Sequence, residues 1–424
     1  MRFLEAELAK YERRVERISE NPDPTKLRCN LLLNEMWRDH RRRMLQEWQD
    51  GKPFLYLSGG GIYPYLFMAM GFRPIHLPMT ADRATTGAAE YFEVSRGRGY
   101  PDTTCDRIQV ELGLALSGDL PKPSFVAIAT GECMPITYGA HWLAKHFQCP
   151  SYALDVDLED NYESLRYLVR QFEEMINLAE KEVPGVKYDE AKHRALLEKV
   201  DQVHAYEQQI YELKRAVPCP ISGKDALRMA GPELIEDPRY VEYYRLFLEE
   251  MQERVARGIG ALPEEKMRVM WLVSAPFYAD PFSFLEKRGV AMPLYDAGAA
   301  GGDETPSLSD ETAYGRKLTL LEFEASLLNR GWRRGTAERK VRFVLDRCRE
   351  MHIDAIIYFM LWGCTPELSM AKIIAERVEQ ELGIPTLMIE GWCLDAEKYD
   401  QADFEKRLDD FIDVCLMRKG VAPT

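Results

Sequence analysis

A repeating unit constrains this chain more than any other feature. It consists of a short apolar run, a turn containing glycine or cysteine, and a longer helix-periodic segment. The first series comprises FLYLSGGG (54–61), RPIHLP (73–78), FVAIATGEC (125–133) and SYALDVD (151–157). Between the last two, PITYGAHWLAKHF reads as a helix that Pro135 opens from its first turn, where a missing N–H costs little. Strand–helix–strand connections are right-handed crossovers, so the strands they join lie parallel in one open sheet. A second series follows: RVMWLVSAP (268–276), VAMPLYD (290–296), DAIIYFMLWGC (354–364) and PTLMIEGWC (385–393).

Between the two series, residues 159–260 form long charged helices, such as NYESLRYLVRQFEEMINLAEKEV, broken by Pro- and Gly-rich joints. A chain of 424 residues also exceeds the size at which a single core keeps growing. The expected fold is therefore α/β, with two Rossmann-like open parallel-sheet domains bridged by a helical segment. The expected boundaries are 1–158, 159–262 and 263–424, and the cleft between the two sheets is the natural ligand site.

The formal charge of −14 would repel a phosphate backbone, so nucleic acid is not an expected partner. No apolar run approaches the roughly 18 residues of a membrane span, and MRFLEAELAKYERRVERISE has no signal-type apolar centre. The expectation is a cytoplasmic protein that does not enter a membrane.

The nine cysteines stand at 29, 105, 133, 149, 219, 348, 364, 393 and 415, without a CxxC pair. That spacing speaks against a disulfide framework and a compact zinc knuckle, so a metal site would have to be assembled by the fold from distant segments. Cys133 and Cys364 follow predicted strands and precede helices, where open α/β sheets bind ligands. Cys105, after GYPD, directly opens a helix, a position where the helix dipole favours thiolate. Three such thiolates suit one iron-sulfur cluster with an iron left open, since cubane clusters usually take four cysteines. The competing reading is three ordinary buried thiols. Cys393, just past the last strand, is open to the same two readings, as a fourth ligand or a second cluster's ligand on one side and a buried thiol on the other. Cys29, Cys149, Cys219, Cys348 and Cys415 read as buried or incidental.

Three blocks carry a further signal: SRGRGYPDTTCDRIQVELGLALSG, GECMPITYGAHWLAKHFQCPSYALDVD, and the closing stretch from LWGCTPELSM to DDFIDVC. In this order, and over nearly the whole chain, they resemble the cysteine blocks of the 2-hydroxyacyl-CoA dehydratase and benzoyl-CoA reductase family. The resemblance implies a two-domain subunit holding a [4Fe–4S] cluster through Cys105, Cys133 and Cys364. It also implies pairing with a homologous iron-sulfur subunit, a separate ATP-hydrolysing iron-sulfur activator, and an acyl-CoA substrate reduced by single electrons. The chain has neither a Walker A pattern nor G-x-G-x-x-G, which agrees with ATP being hydrolysed elsewhere.

On the substrate side, SGGGIY (58–63) offers a hydroxyl and backbone N–H groups, making Ser58 a candidate contact, with a plain glycine turn as the alternative. His76 or His141 could donate protons. The larger dehydratase subunits carry a glutamate after the second strand. Here HLPMTADRATTG places Met79 and Thr80 near that point, with Asp82 the nearest carboxylate. Removing a 2-hydroxy group needs an acid or base within reach. A reductase of benzoyl-CoA reductase type is therefore the first expectation and a 2-hydroxyacyl-CoA dehydratase the alternative. A third possibility is a related cluster protein that transfers electrons or reduces small molecules. Room for a thioester beside the cysteines, and basic residues at the mouth, would separate these readings. The polar stretch 297–317 is expected to be a mobile lid or interface loop.

Overall fold

The computed structural model describes residues 1–23, 26–85, 87–227, 229–295, 307–309, 311, 315–330 and 334–421. The expected lid at 297–317 lies mostly outside these residues. Every predicted strand is present. The first sheet contains β1 (Phe54–Ser58), β2 (Arg73–His76), β3 (Pro123–Ala129) and β4 (Ser151–Leu154) in the order β2-β1-β3-β4. The second contains β5 (Met267–Leu272), β6 (Val290–Tyr295), β7 (Ala355–Leu361) and β8 (Thr386–Gly391) in the order β6-β5-β7-β8. All pairings are parallel, and the two sheets share one topology.

Parallel strands covered on both faces need apolar side chains at every position, which explains why these runs read as continuous rather than alternating. In the first sheet, Tyr56, Val126 and Ile128 point to one face, and Leu55, Leu57, Phe125 and Ala127 to the other. The first of these faces belongs to a core that continues into the second sheet through Val269, Trp271, Ile356 and Tyr358. The two sheets therefore share a continuous apolar interior.

Helices Tyr162–Glu182, Glu190–Leu213 and Tyr240–Ala256 bring Leu168, Phe172, Leu197 and Phe247 into the core on the other face of the first sheet. The short helix Gly223–Leu227 packs against β6. The helical segment is thus a covering layer for one sheet as well as a link to the other. Its first two helices start where capping side chains stand: Asn161 accepts from the Ser164 amide at 3.0 Å and Asp189 from the Lys192 amide at 2.9 Å. Among the described residues no helix is long and apolar enough to cross a membrane.

Candidate functional site

Cys105, Cys133 and Cys364 occupy the same kind of position. Each is the residue immediately before a helix: Asp106–Leu116, Met134–Phe147 and Thr365–Leu382, respectively. Pro135 and Pro366 lie in the first turns of the latter two, where a missing N–H leaves no broken bond. Cys133 follows β3 and Cys364 follows β7, so they are topological equivalents. Each sheet's order reverses between its first and third strands, the switch point where such sheets bind ligands.

Gly363 brings the two sheets' loops together. Its φ is +78°, and a Cβ there would stand 2.5 Å from the Cys105 nitrogen and 2.8 Å from its Cα. Only glycine meets both conditions, a left-handed backbone and direct backbone contact. The Cys364 loop therefore lies on the Cys105 loop. Electrostatics agree: burial pushes the Cys105 thiol well above its usual range, with Asp106 and Cys364 adding to the effect. Burial likewise raises Cys133 to about 12, opposed by the Ile136 amide and reinforced by Cys364 and Glu132. None of the three helices has a well-formed side-chain cap.

The expectation that the helix start would make Cys105 a thiolate is corrected. The residue is only 5% exposed, and the loss of solvation outweighs the charge and the amide of Arg107. Such thiols stay protonated until a metal displaces the proton. None of the nine cysteines is in a disulfide. Among the described residues, no three His, Cys, Asp or Glu side chains converge as a single-ion site. Three thiols at helix starts suit an iron-sulfur cluster better than a lone hard cation.

A pocket of about 440 Å³ opens beside these loops, lined among others by Tyr100, Thr104, Cys105, Ile108, Tyr138 and Gly363. Its volume is in the range of small-molecule sites. Among the described residues its lining includes no Lys or Arg, so the basic groups expected for the CoA phosphates are not found in the wall of this pocket.

The other sequence candidates are placed as follows. Ser58 ends β1, is 1% exposed, and its Oγ has no hydrogen-bond partner. His76 ends β2; its Nδ1 accepts from the Met79 amide at 3.3 Å, and the ring also bonds to the Gly59 backbone. Burial lowers its pKa, with Glu233 opposing. The imidazole thus fixes the glycine loop to the end of β2. His141 is exposed, and eight residues along its helix from Cys133 is about 12 Å. Cys393 is fully buried, and its thiol donates to Asp106 Oδ1 at 3.1 Å.

Several polar residues here were not foreseen. Asp106 also accepts from the amides of Leu394, at 2.6 Å, and Asp395, at 3.3 Å, tying the end of β8 to the Cys105 helix. Arg107 grips Asp82 with both arms of its guanidinium, the Nε bond being 2.7 Å. Glu111, one turn further on, is buried. Charged side chains in the otherwise apolar helix DRIQVELGLAL were the available signal. Arg334 offered none: it reaches from far along the chain to donate to Thr130 O at 2.7 Å and to Gly60 O, clamping the loops after β3 and β1.

Comparison with known proteins adds the following. Residues 64–415 match the family model described as "2-hydroxyglutaryl-CoA dehydratase, D-component". The chain is 22% identical over 356 residues to the (R)-2-hydroxyisocaproyl-CoA dehydratase alpha subunit of Clostridioides difficile, covering 79% of this chain and 83% of that one. It is 21% identical over 361 residues to the alpha subunit of lactoyl-CoA dehydratase from Anaerotignum propionicum, covering 78% and 83%. Against a benzoyl-CoA reductase subunit of Thauera aromatica it is 19% identical over 351 residues, covering 76% and 79%.

Proposed function

Since the chain belongs to the 2-hydroxyglutaryl-CoA dehydratase D-component family, we propose that it is the iron-sulfur catalytic subunit of a 2-hydroxyacyl-CoA dehydratase. This reverses the order expected from sequence, which put the benzoyl-CoA reductase type first. The matching family model describes a dehydratase component, and dehydratase alpha subunits stand among the relatives alongside the reductase one. One observation carries the reading: Gly363 seated on Cys105 joins cysteine-led helices from both sheets beside a pocket of thioester size.

In this reading Cys105, Cys133 and Cys364 hold a [4Fe–4S] cluster. When bound, it supplies single electrons at low potential to the CoA thioester. The three helix N-termini offset negative charge on the sulfurs. The apolar surroundings keep water from the reacting carbonyl. Ser58, with an unpartnered hydroxyl at the head of the glycine loop, is the proposed donor to a substrate oxygen. His76 holds that loop in shape. The proposed partners are a homologous iron-sulfur subunit and a separate ATP-hydrolysing activator, and the proposed location is the cytoplasm.

The benzoyl-CoA reductase type is the second reading. It is favoured by Met79 and Thr80, which leave the segment after β2 without a free carboxylate, since Asp82 is held by Arg107. The test is anaerobic assay of the assembled enzyme with its partner subunit, activator, ATP and reductant. Catalytic dehydration of lactoyl-CoA or 2-hydroxyisocaproyl-CoA, without stoichiometric consumption of electrons, is expected. Electron-consuming turnover of benzoyl-CoA alone would establish the second reading instead.

A further inference from the structure

Gly139 stands where a helix has little use for glycine. It is an interior residue of the helix Met134–Phe147, a position at which glycine is among the least favourable of all residues. Two structural needs would account for it: a left-handed backbone, or a neighbour too close for any side chain. Neither applies. Its φ is not positive, and a Cβ there would meet only Ile108 Cγ2 at 3.7 Å and Leu112 Cδ2 at 3.8 Å, which are ordinary contacts. Gly113, on the facing helix Asp106–Leu116, is the contrast. A Cβ at that position would stand 2.2 Å from the Tyr91 carbonyl oxygen, so packing alone demands glycine. Gly139 instead lines the pocket beside Cys105, and its missing side chain leaves volume there.

The pocket follows the seam between these two helices. Cys105 and Ile108 lie about one turn apart along one side, Pro135 and Gly139 along the other. Cys105 and Gly363 mark the end at which the cysteine loops meet. Six residues of helix, about 9 Å, separate Gly139 from Cys133, so Gly139 faces Ile108 away from that end. The walls are uncharged: among the described residues the lining contains no Asp, Glu, Lys or Arg. Tyr100 is set edge-on against Trp142, with ring centroids 5.9 Å apart, and Tyr138 stands exposed at the rim.

Resting on the dehydratase reading above, we infer that Gly139 sets the depth of an acyl subsite for a 2-hydroxyacyl thioester carrying a bulky, uncharged group on C3, branched alkyl or aryl. The thioester lies toward Cys105 and the C3 group runs along the seam between Ile108 and Gly139. Burying such a group against Ile108 and Tyr100 is favourable. A terminal carboxylate in its place would lose its water beside walls that, among the described residues, hold no cation to replace it.

The test measures equilibrium binding of three thioesters that lack the 2-hydroxy group, isocaproyl-CoA, propionyl-CoA and glutaryl-CoA, to the assembled enzyme, as wild type and as Gly139→Ala. Turnover of 2-hydroxyisocaproyl-CoA is assayed alongside. Wild type should bind isocaproyl-CoA on the order of 10-fold tighter than the other two, and G139A should lose most of that preference while its affinity for propionyl-CoA changes by no more than about 3-fold. The added methyl meets its neighbours at ordinary distance and favours the helix, so the urea midpoint and iron content of G139A should not fall. Adding Ile108→Ala, which opens the facing wall, should restore part of the lost affinity. Equal affinity of wild type and G139A for isocaproyl-CoA, a loss of the same size for isocaproyl-CoA and propionyl-CoA, or glutaryl-CoA bound by wild type as tightly as isocaproyl-CoA would overturn the inference. Wild type that shows the expected affinities yet dehydrates no 2-hydroxyacyl thioester would uphold the subsite and overturn the dehydratase reading.

Discussion

Gly363 rests on the backbone of Cys105, at a distance no other residue type could accept. Replacing it with alanine combines a left-handed backbone strain with a clash against a main chain that cannot swing aside. Gly363→Ala should cost on the order of 3 kcal/mol and separate the cysteine loops. A lower urea midpoint together with reduced iron content is expected; an alanine variant with wild-type stability and iron would show that the two loops are not in contact.

Asp106 holds the other seam between the sheets. Asparagine keeps one acceptor oxygen but turns its NH2 toward either the Leu394 and Asp395 amides or the Cys393 thiol. Asp106→Asn should lose about 1–3 kcal/mol, the range for a buried group left unsatisfied. Faster alkylation of Cys393 should accompany the loss. Unchanged unfolding and unchanged thiol reactivity would contradict the pairing.

The sequence exposed the framework for a physical reason. Doubly covered parallel strands require unbroken apolar runs, and each of FLYLS, FVAIA and AIIYFML fell on a strand. The cysteines were legible as strand-end and helix-start residues because glycine, proline and periodicity mark those junctions. Tertiary burial was not legible: it raised the Cys105 pKa where local position argued for lowering it. Nor was the bond between Cys393 and Asp106, which joins segments from opposite halves of the chain, or the clamp of Arg334.

Glu111 should leave a mark on stability. Its folded pKa of about 8 lies above the ordinary carboxyl value of 4.5. Between those values the unfolded chain has lost a proton that the folded chain keeps, so stability falls as pH rises through the window. The decline should total on the order of 4 kcal/mol and level off above about pH 8. Glu111→Gln should remove this slope, giving a chain more stable than wild type at pH 8 and nearly equal to it near pH 4.5. Parallel stability curves for the two proteins in urea would show that Glu111 ionises normally.

Arg334 forks across two carbonyls, a geometry that a single ammonium does not reproduce. Arg334→Lys should lose about 1–2 kcal/mol and loosen the glycine loop that begins at Ser58. Hydrogen exchange at Gly60 and Gly61 should quicken. Exchange and stability equal to wild type would mean the clamp is not formed in solution.

The convergence of three distant thiols is tested most directly by iron and acid-labile sulfide content after strictly anaerobic preparation. Wild type should be compared with Cys105→Ala, Cys133→Ala and Cys364→Ala, with Cys393→Ala as a control. The expected result is a cluster in wild type, a comparable loss in each of the first three variants, and retention in the control, whose thiol is occupied with Asp106. Iron retained by all three, or lost only from the control, would contradict a cluster held at the meeting of the two sheets.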